Sequence, residues 1–321
     1  MPSVDTLGHH LTAIPDVHVA RDVPLNTYTR FAIGGPALYY VATSREESFV
    51  RALCAVRSSG VPWVVVGNGT NLIVSDDGFQ GVVLRYTNAT IARESNRVSA
   101  SAGTELQDLV DFTIDQGLAG IHVMTGIPGS VGAAVYGNAG AYGRSISQSV
   151  REVRFFDGEQ IELFANVACE FGYRESVFKH NKNRVILNAV LELEPGDAVE
   201  LRGKADGIFD IRARKYPNTM KCAGSIFKNL LLRELPASVR NLVPEKVVIE
   251  GKVPSAWFLE QVGAKGMSDG DIRVAAYHAN LIYNEGHGTA AQLRRLIGEL
   301  KRRVADRFGF ALEEEVQYIG F

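Results

Sequence analysis

The sequence predicts an α+β protein of two domains, and three observations carry that expectation. The chain has 321 residues, more than one ordinary core needs and comfortable for two. Stretches of helical and of strand-like periodicity both recur, and the mix implies at least two sheets. Glu194-Pro195-Gly196 punctuates the chain, which sets the expected domains at residues 1–195 and 196–321.

Arg45 to Ser59 reads as a helix, with Ser44 and Glu47 as an S-x-x-E capping box and Phe49, Leu53 and Val56 on one face. Val64–Val66 and Val82–Leu84 are short β-branched runs. Thr104 to Gln116 is a second helix, with Thr104 and Gln107 as its capping box, Leu106, Val110 and Ile114 as its stripe, and Gly117 as its stop. Strands follow at Glu152–Phe156, Ile161–Phe164 and Val185–Leu193. The second part opens with a helix at Glu200–Arg214 and a loop at Cys222–Asn229. A short helical segment, Ala256–Val262, and a strand, Asn280–Tyr283, come next. Thr289 to Arg307 is a long amphipathic helix with Leu293, Ile297, Leu300 and Val304 inward. The chain closes on a strand, Leu312–Ile319.

Composition excludes several classes. Hydrophobic residues are 46% and charged residues 22%, so a core is available and disorder is not indicated. A net charge of -2 leaves no electrostatic footprint for nucleic acid. The basic residues Arg294, Arg295, Lys301, Arg302, Arg303 and Arg307 share a helix with Glu299 and Asp306 and read as a solvated face. Three widely spaced cysteines, Cys54, Cys169 and Cys222, point to reduced thiols and a cytoplasmic setting. Residues 1–20 have no apolar segment of the signal-peptide kind, and no apolar run is long enough to span a bilayer. The seven histidines and three cysteines show no metal-ligand spacing, so no metal is assigned.

Two glycine-rich segments stand out. A strand followed by Gly67-Asn68-Gly69-Thr70-Asn71 suits a phosphate cradle, although a tight turn explains it equally well. The dinucleotide fingerprint G-x-G-x-x-G fails because Leu72 holds its third glycine position and extended chain follows. From Gly126 to Gly143 six glycines fall in eighteen residues, a density that no regular helix or strand favours. Interleaved Ile127, Val131, Ala133, Ala134, Val135 and Tyr136 indicate that this run is buried, and buried glycine-rich backbone admits something flat or large. The two segments together suggest an extended cofactor with a pyrophosphate and a planar ring.

Three residues are candidates for chemistry. Arg174, in Phe171-Gly172-Tyr173-Arg174-Glu175, is either a surface arginine paired with Glu175 or a guanidinium for a carboxylate or enolate. Ser225, in Ala223-Gly224-Ser225-Ile226-Phe227-Lys228-Asn229, lacks the G-x-S-x-G elbow of a hydrolase but has a hydroxyl able to donate a proton. Glu315 shares a strand face with Glu313, Gln317 and Ile319, opposite Leu312, Glu314, Val316 and Tyr318. Taken alone, it reads as a solvated acidic edge.

Set in order along the chain, these segments resemble the bacterial UDP-N-acetylenolpyruvoylglucosamine reductases. The matching stretches run from 26–35 (Asn-Thr-Tyr-Thr-Arg-Phe-Ala-Ile-Gly-Gly) through Gly67–Asn71, Gly126–Gly143 and Phe171–Lys179. They continue through Ala223–Asn229 and His278-Ala279-Asn280 to Glu315-Val316. The resemblance implies a vanillyl-alcohol-oxidase-type (PCMH) FAD-binding domain followed by an α+β substrate-binding domain. It implies non-covalent FAD, NADPH as co-substrate and an enolpyruvyl nucleotide sugar as acceptor. The expected protein is a cytoplasmic monomer with neither nucleic-acid nor membrane partners. By resemblance Ser225 protonates the substrate carbon while Arg174 and Glu315 stabilise the intermediate. The cofactor would contact Gly67, Asn68, Gly69, Thr70, Asn71, Gly126, Ile127, Pro128, Gly129, Ser130, Gly132, Ala133, Gly137, Asn138 and Gly140. Tyr173, Lys215, Lys228 and Asn229 would bind substrate, Lys215 near its diphosphate, with Arg212 as a weaker candidate. The short connection from Pro195 to Arg212 matches the shorter subfamily, which lacks an additional tyrosine-bearing loop. Two alternatives stay open at this point. One is another FAD oxidoreductase of the same fold; residues 64–75 hold no His or Cys for covalent flavin, and His122 is the only one in 118–143. The other is a non-catalytic nucleotide-sugar binder.

Overall fold

A computed structural model describes residues 4–321, and they form two compact units whose segments alternate along the chain. The first unit takes the described residues up to Val23, then Ala37–Asn68 and Gln80–Asn218. The second takes Pro24–Pro36, Gly69–Phe79 and Thr219–Phe321. The boundary expected after Pro195 therefore falls inside the first unit. The cause is the helix Ala198–Lys215: Leu201 and Ala205 are buried in the first core, and Arg202 pairs with Asp111 and, at 2.8 Å, Asp115. Conversely, Phe31, Ile33 and Ile73 are buried in the core of the second unit, which draws two early segments into it.

The first unit holds two large sheets, beside two short two-stranded ones. One has four strands in the order His18–Pro24, Pro36–Thr43, Phe79–Tyr86, Trp63–Val65, the last pair parallel with Val64 opposite Val83. The other is antiparallel, in the order Ile161–Ala165, Val150–Phe156, Val185–Glu192, Arg97–Ser101, Ile91–Glu94. The helix Glu46–Ser59 buries Phe49, Leu53 and Val56 as expected and stops at Gly60, φ 75°. Fully burying each such side chain contributes roughly 1.5–3 kcal/mol. The two anticipated capping boxes do not form. Arg45 and Glu105 occupy the N-cap positions without a side-chain cap, and the Gln107 amide is engaged elsewhere, by Thr125 and Gly126.

The second unit packs the helix Ala290–Phe308 against a three-stranded antiparallel sheet, Ser268–Asp269, Ile272–Val274 and Ile282–Asn284. Its inward stripe of Leu293, Ile297, Leu300 and Val304 is the one its periodicity predicts. Four of the six basic residues on this helix are ion-paired: Arg302 and Arg303 with Glu299, Arg295 with Asp269, and Lys301 with Glu314. The terminal strand is shorter than expected, Gln317–Ile319, and runs parallel to Leu72–Val74. Period-two alternation fails there, since Leu312, Val316 and Ile319 are buried while Tyr318 is exposed. Residues 313–315 pair with one chain segment and 317–319 with another, so the backbone changes direction between them.

Among the described residues no helix is long and apolar enough to cross a membrane. Cys54 is exposed; Cys169 and Cys222 are buried, and burial pushes the Cys169 thiol up to about 11.

The long helix starts under two sets of acceptors. Thr289 and Gln292 exchange side-chain and backbone bonds, and the Asp76 carboxylate accepts from the N–H groups of Ala290 and Ala291 at 2.7 and 2.9 Å. Asp76→Ala removes the second set. It is expected to lower stability by about 1 kcal/mol, seen as a melting temperature about 2–4 °C lower.

Candidate active site

In the first unit the two glycine segments meet. A Cβ on Gly67 would stand 2.7 Å from Ser130 Oγ, so Gly67 admits the second run against its backbone. That run is laced to residues 102–106. Gly132 N–H donates to Ala102 O at 2.9 Å, Val131 N–H to Thr104 O at 2.8 Å, and Leu106 N–H to Gly129 O at 2.9 Å. The ladder centres on Glu105 opposite Ser130. In this antiparallel pattern the two central residues turn their own N–H groups away from each other. Among the described residues no acceptor meets the N–H of Gly67, Asn68, Gly129 or Ser130, and Gly129 and Ser130 are buried. Buried backbone donors require partners. A cluster of them suits an anion such as a pyrophosphate, and in this respect the residues present fit a flavin dinucleotide.

The second run is not wholly irregular, contrary to expectation. Val131–Tyr136 forms a short helix, capped by Ser130 Oγ accepting from Ala133 N–H. Only one glycine, Gly132, falls within it, and alanines at 133 and 134 favour a helix. Burial is also partial: Val131, Ala134 and Val135 are inside, Ile127 and Tyr136 are half-buried, and Ala133 and Pro128 are exposed.

Gln107, Glu105 and Arg85, which sequence reasoning did not assign to the site, hold this region together with Asn68. Gln107 Oε1 accepts from Gly126 N–H at 2.7 Å and from Thr125 Oγ1 at 3.3 Å. Asn68 is gripped from both sides, its amide donating to Glu105 at 2.5 Å and its Oδ1 accepting from Arg85 at 2.9 Å. Arg212 and Phe209 lie over Gly126. No local motif marks these residues, because each acts across a long sequence separation. Lys215 ends the helix with its Nζ 5.1 Å from the centre of the Tyr216 ring.

Arg174 is tied to the same run. Asn138 Nδ2 donates to Gly172 O at 2.6 Å, and Arg174 Nη2 donates to Gly140 O at 3.1 Å. Its guanidinium lies 5.3 Å from the centre of the Tyr173 ring. Glu175 pairs with Lys179 at 2.9 Å and with His180 at 3.5 Å. Gly172 and Glu175 close a turn on two backbone bonds, with Arg174 at its third position and φ 61°. That conformation favours glycine or asparagine, and an arginine there costs of order 1–3 kcal/mol.

In the second unit Gly69 passes so close to Tyr28 that a Cβ would stand 1.8 Å from the Tyr28 carbonyl oxygen. Gly69 O accepts from Arg30 N–H at 3.1 Å, and Thr70 follows. Asn71 holds the main chain of Glu315: its Nδ2 donates to Glu315 O at 3.0 Å. Glu315 N–H in turn donates to Ile226 O at 2.7 Å, and Lys228 N–H donates to Glu313 O at 2.9 Å. Phe227 thus stands opposite Glu314, and Ser225 and Glu315 are carried on paired segments. Both are half-buried. Buried Lys228 pairs with Glu313, while exposed Asn229 accepts from Ser255 N–H at 3.3 Å.

The first unit presents a glycine-lined set of backbone donors, which places it in the class of dinucleotide-binding proteins; the second carries a serine and a glutamate on paired segments. Residues 36–162 match the family described as FAD binding domain. Residues 216–319 match the family described as UDP-N-acetylenolpyruvoylglucosamine reductase, C-terminal domain. The chain is 57% identical over 310 residues to the UDP-N-acetylenolpyruvoylglucosamine reductase of Solibacter usitatus (strain Ellin6076), covering 97% of this chain and 99% of that one. It is 35% identical to the enzyme of the same name from Syntrophus aciditrophicus (strain SB), covering 94% and 92%. The crystal structure of UDP-N-acetylenolpyruvylglucosamine reductase (MurB) from Thermus caldophilus is similar at TM-score 0.73 and 25% identity, over 94% of this chain and 98% of that one. The chain belongs to the UDP-N-acetylenolpyruvoylglucosamine reductase family. Its cofactor is FAD, and its first part has the PCMH-type fold expected.

Gly129 has φ 127°, a region closed to side chains, and its N–H is one of the unclaimed donors. Gly129→Val is expected to purify without most of its flavin, read from the ratio of visible to ultraviolet absorbance. Full flavin content would contradict the cradle.

Proposed function

We propose that the chain catalyses the NADPH-dependent, FAD-mediated reduction of UDP-N-acetylglucosamine enolpyruvate to UDP-N-acetylmuramate, a step of peptidoglycan precursor synthesis. What carries this assignment is family membership over nearly the whole chain, at 57% identity to one relative. The chemistry FAD supplies when bound is hydride transfer, from NADPH to the methylene carbon of the enolpyruvyl group. The N–H groups of Gly67, Asn68, Gly129 and Ser130 would hold the pyrophosphate non-covalently. Backbone from Gly126 to Gly140 would line the rest of the cofactor.

As the methylene carbon accepts hydride, negative charge develops on the neighbouring carbon and its carboxylate. Arg174 would hold that carboxylate, since a guanidinium offers two parallel donors to two oxygens. The backbone strain stored at Arg174 is the kind retained where a side chain must be aimed. Glu315 would polarise the same intermediate through a hydrogen bond. Ser225 would deliver its hydroxyl proton to the carbon that carries the charge. Serine is a weak acid in water, so its place beside the developing anion must supply the driving force. Lys215 would meet the substrate diphosphate, with Tyr173, Lys228 and Asn229 on other parts of the nucleotide sugar. Three free thiols are consistent with a cytoplasmic enzyme, and a monomer is proposed.

Two variants separate the roles in anaerobic stopped-flow experiments. Ser225→Ala should be reduced by NADPH at the normal rate, while its reoxidation by substrate falls about 10²–10⁴-fold; equal loss of both half-reactions would remove Ser225 from the proton-donor role. Arg174→Gly should keep or raise the melting temperature, because glycine relieves the left-handed backbone. Its reoxidation should nevertheless slow by roughly 10²–10³-fold. A lower melting temperature with undiminished reoxidation would make Arg174 structural.

A further inference from the structure

We propose that Asn280, backed by Ser255, is the positioning residue for the proton donor of this reduction, holding Ser225 in place through the Phe227 peptide. The proposal rests on the role given above to Ser225.

Asn280 is 2% exposed, and its carboxamide grips one peptide group. Its Oδ1 accepts from Phe227 N–H at 2.9 Å, and its Nδ2 donates to Phe227 O, also at 2.9 Å. A carboxamide carries the same donor and acceptor as a peptide group, so Asn280 stands in for a neighbouring strand across one residue. Its own backbone extends the pairing: Asn280 O accepts from Ile226 N–H at 3.1 Å, and Leu281 bridges to Ser225. Ser255, wholly buried, closes the arrangement. Its Oγ accepts from Asn280 Nδ2 at 2.7 Å and donates to Phe227 O at 3.3 Å.

The opposite edge of residues 226–228 is held by Glu313 and Glu315. Ser225 follows Gly224, whose φ is 76°. Cys222 and Ala223 before it are buried and Lys221 is bridged to Asn284, and the grip on Ile226 and Phe227 holds Ser225 from its C-terminal side. A buried asparagine that only filled space would not need to direct both ends of its amide at one peptide beside the proton donor.

The reaction makes placement measurable. Hydride adds to the methylene carbon, and the π electron pair moves to the adjacent carbon. That carbon then forms a C–H bond with the proton of Ser225 Oγ, and solvent restores the serine proton. The protonated carbon becomes a stereocentre, so a displaced donor shows in the epimer ratio as well as in the rate.

Holoenzymes of the wild type, Asn280→Asp, Asn280→Ala and Ser255→Ala are compared, with Ser225→Ala as control. Asn280→Asp keeps the acceptor for Phe227 N–H and sets an oxygen against Phe227 O. Reduction by NADPH is expected to stay within about twofold of wild type, whereas reoxidation by UDP-N-acetylglucosamine enolpyruvate slows at least about tenfold in the Asn280 variants. Ser255→Ala should lie between them and wild type, which keeps the test intact if Asn280→Ala does not fold. The product should contain the other lactyl epimer, resolved by NMR. Hydrogen exchange at the Phe227 amide, read with or without flavin, should quicken. Wild-type reoxidation and a single epimer despite quickened exchange would overturn the proposal, as would both half-reactions falling together with the melting temperature. If Ser225→Ala itself reoxidises normally, the donor assignment fails first; if Ser225→Ala is blocked while the Asn280 variants are normal, only the positioning role fails.

Discussion

The main-chain pairing of Ile226–Lys228 with Glu313–Glu315 is the constraint on which the chemistry proposed for the second unit depends. Two backbone hydrogen bonds, from Glu315 to Ile226 and from Lys228 to Glu313, set the serine-bearing and glutamate-bearing segments in one register. A one-residue slip in such a pairing turns side chains to the opposite face. The surrounding bonds guard against that slip. Asn71 holds the carbonyl of Glu315, and Asn280 holds both ends of the Phe227 peptide.

The first unit meets a different problem, how to keep backbone donors open inside a folded protein for the anion proposed there. Its answer is a ladder one residue wide. Gly129, Val131 and Gly132 use their bonds to fasten the run to residues 102–106, which leaves the outward N–H of Ser130 without an internal acceptor. The same run accepts from Arg174 at Gly140 and reaches back to Gly172 through Asn138. The cofactor cradle and the proposed carboxylate-binding arginine thus share one support, so damage to the run should be felt at both.

Arg174 and Gly224 show opposite uses of the left-handed backbone region. At Gly224, just before Ser225, it comes without steric cost. At Arg174 it is imposed on a bulky side chain by a turn closed with two hydrogen bonds, and the guanidinium is stacked on Tyr173 and bonded to Gly140. One position adopts the region at no steric cost, and the other holds a side chain there at a cost in strain.

Sequence alone determined whatever depends on local periodicity and on the order of short motifs. The stripe of the helix Ala290–Phe308, the core face of Glu46–Ser59, the identity of the glycine segments and the family resemblance were all legible there. Tertiary structure decided whatever depends on partners far along the chain. It took residues 24–36 and 69–79 into the second unit and the helix Ala198–Lys215 into the first. It left Thr104 and Gln107 without their capping box, because Gly126, nineteen residues beyond Gln107, claims the glutamine. It also gave Asn71 and Asn280 their acceptors and donors, 244 and 53 residues away. Propensity and spacing act within a turn or two of helix or strand. A hydrogen bond between distant segments depends on how the whole chain packs, and no local pattern records its partner.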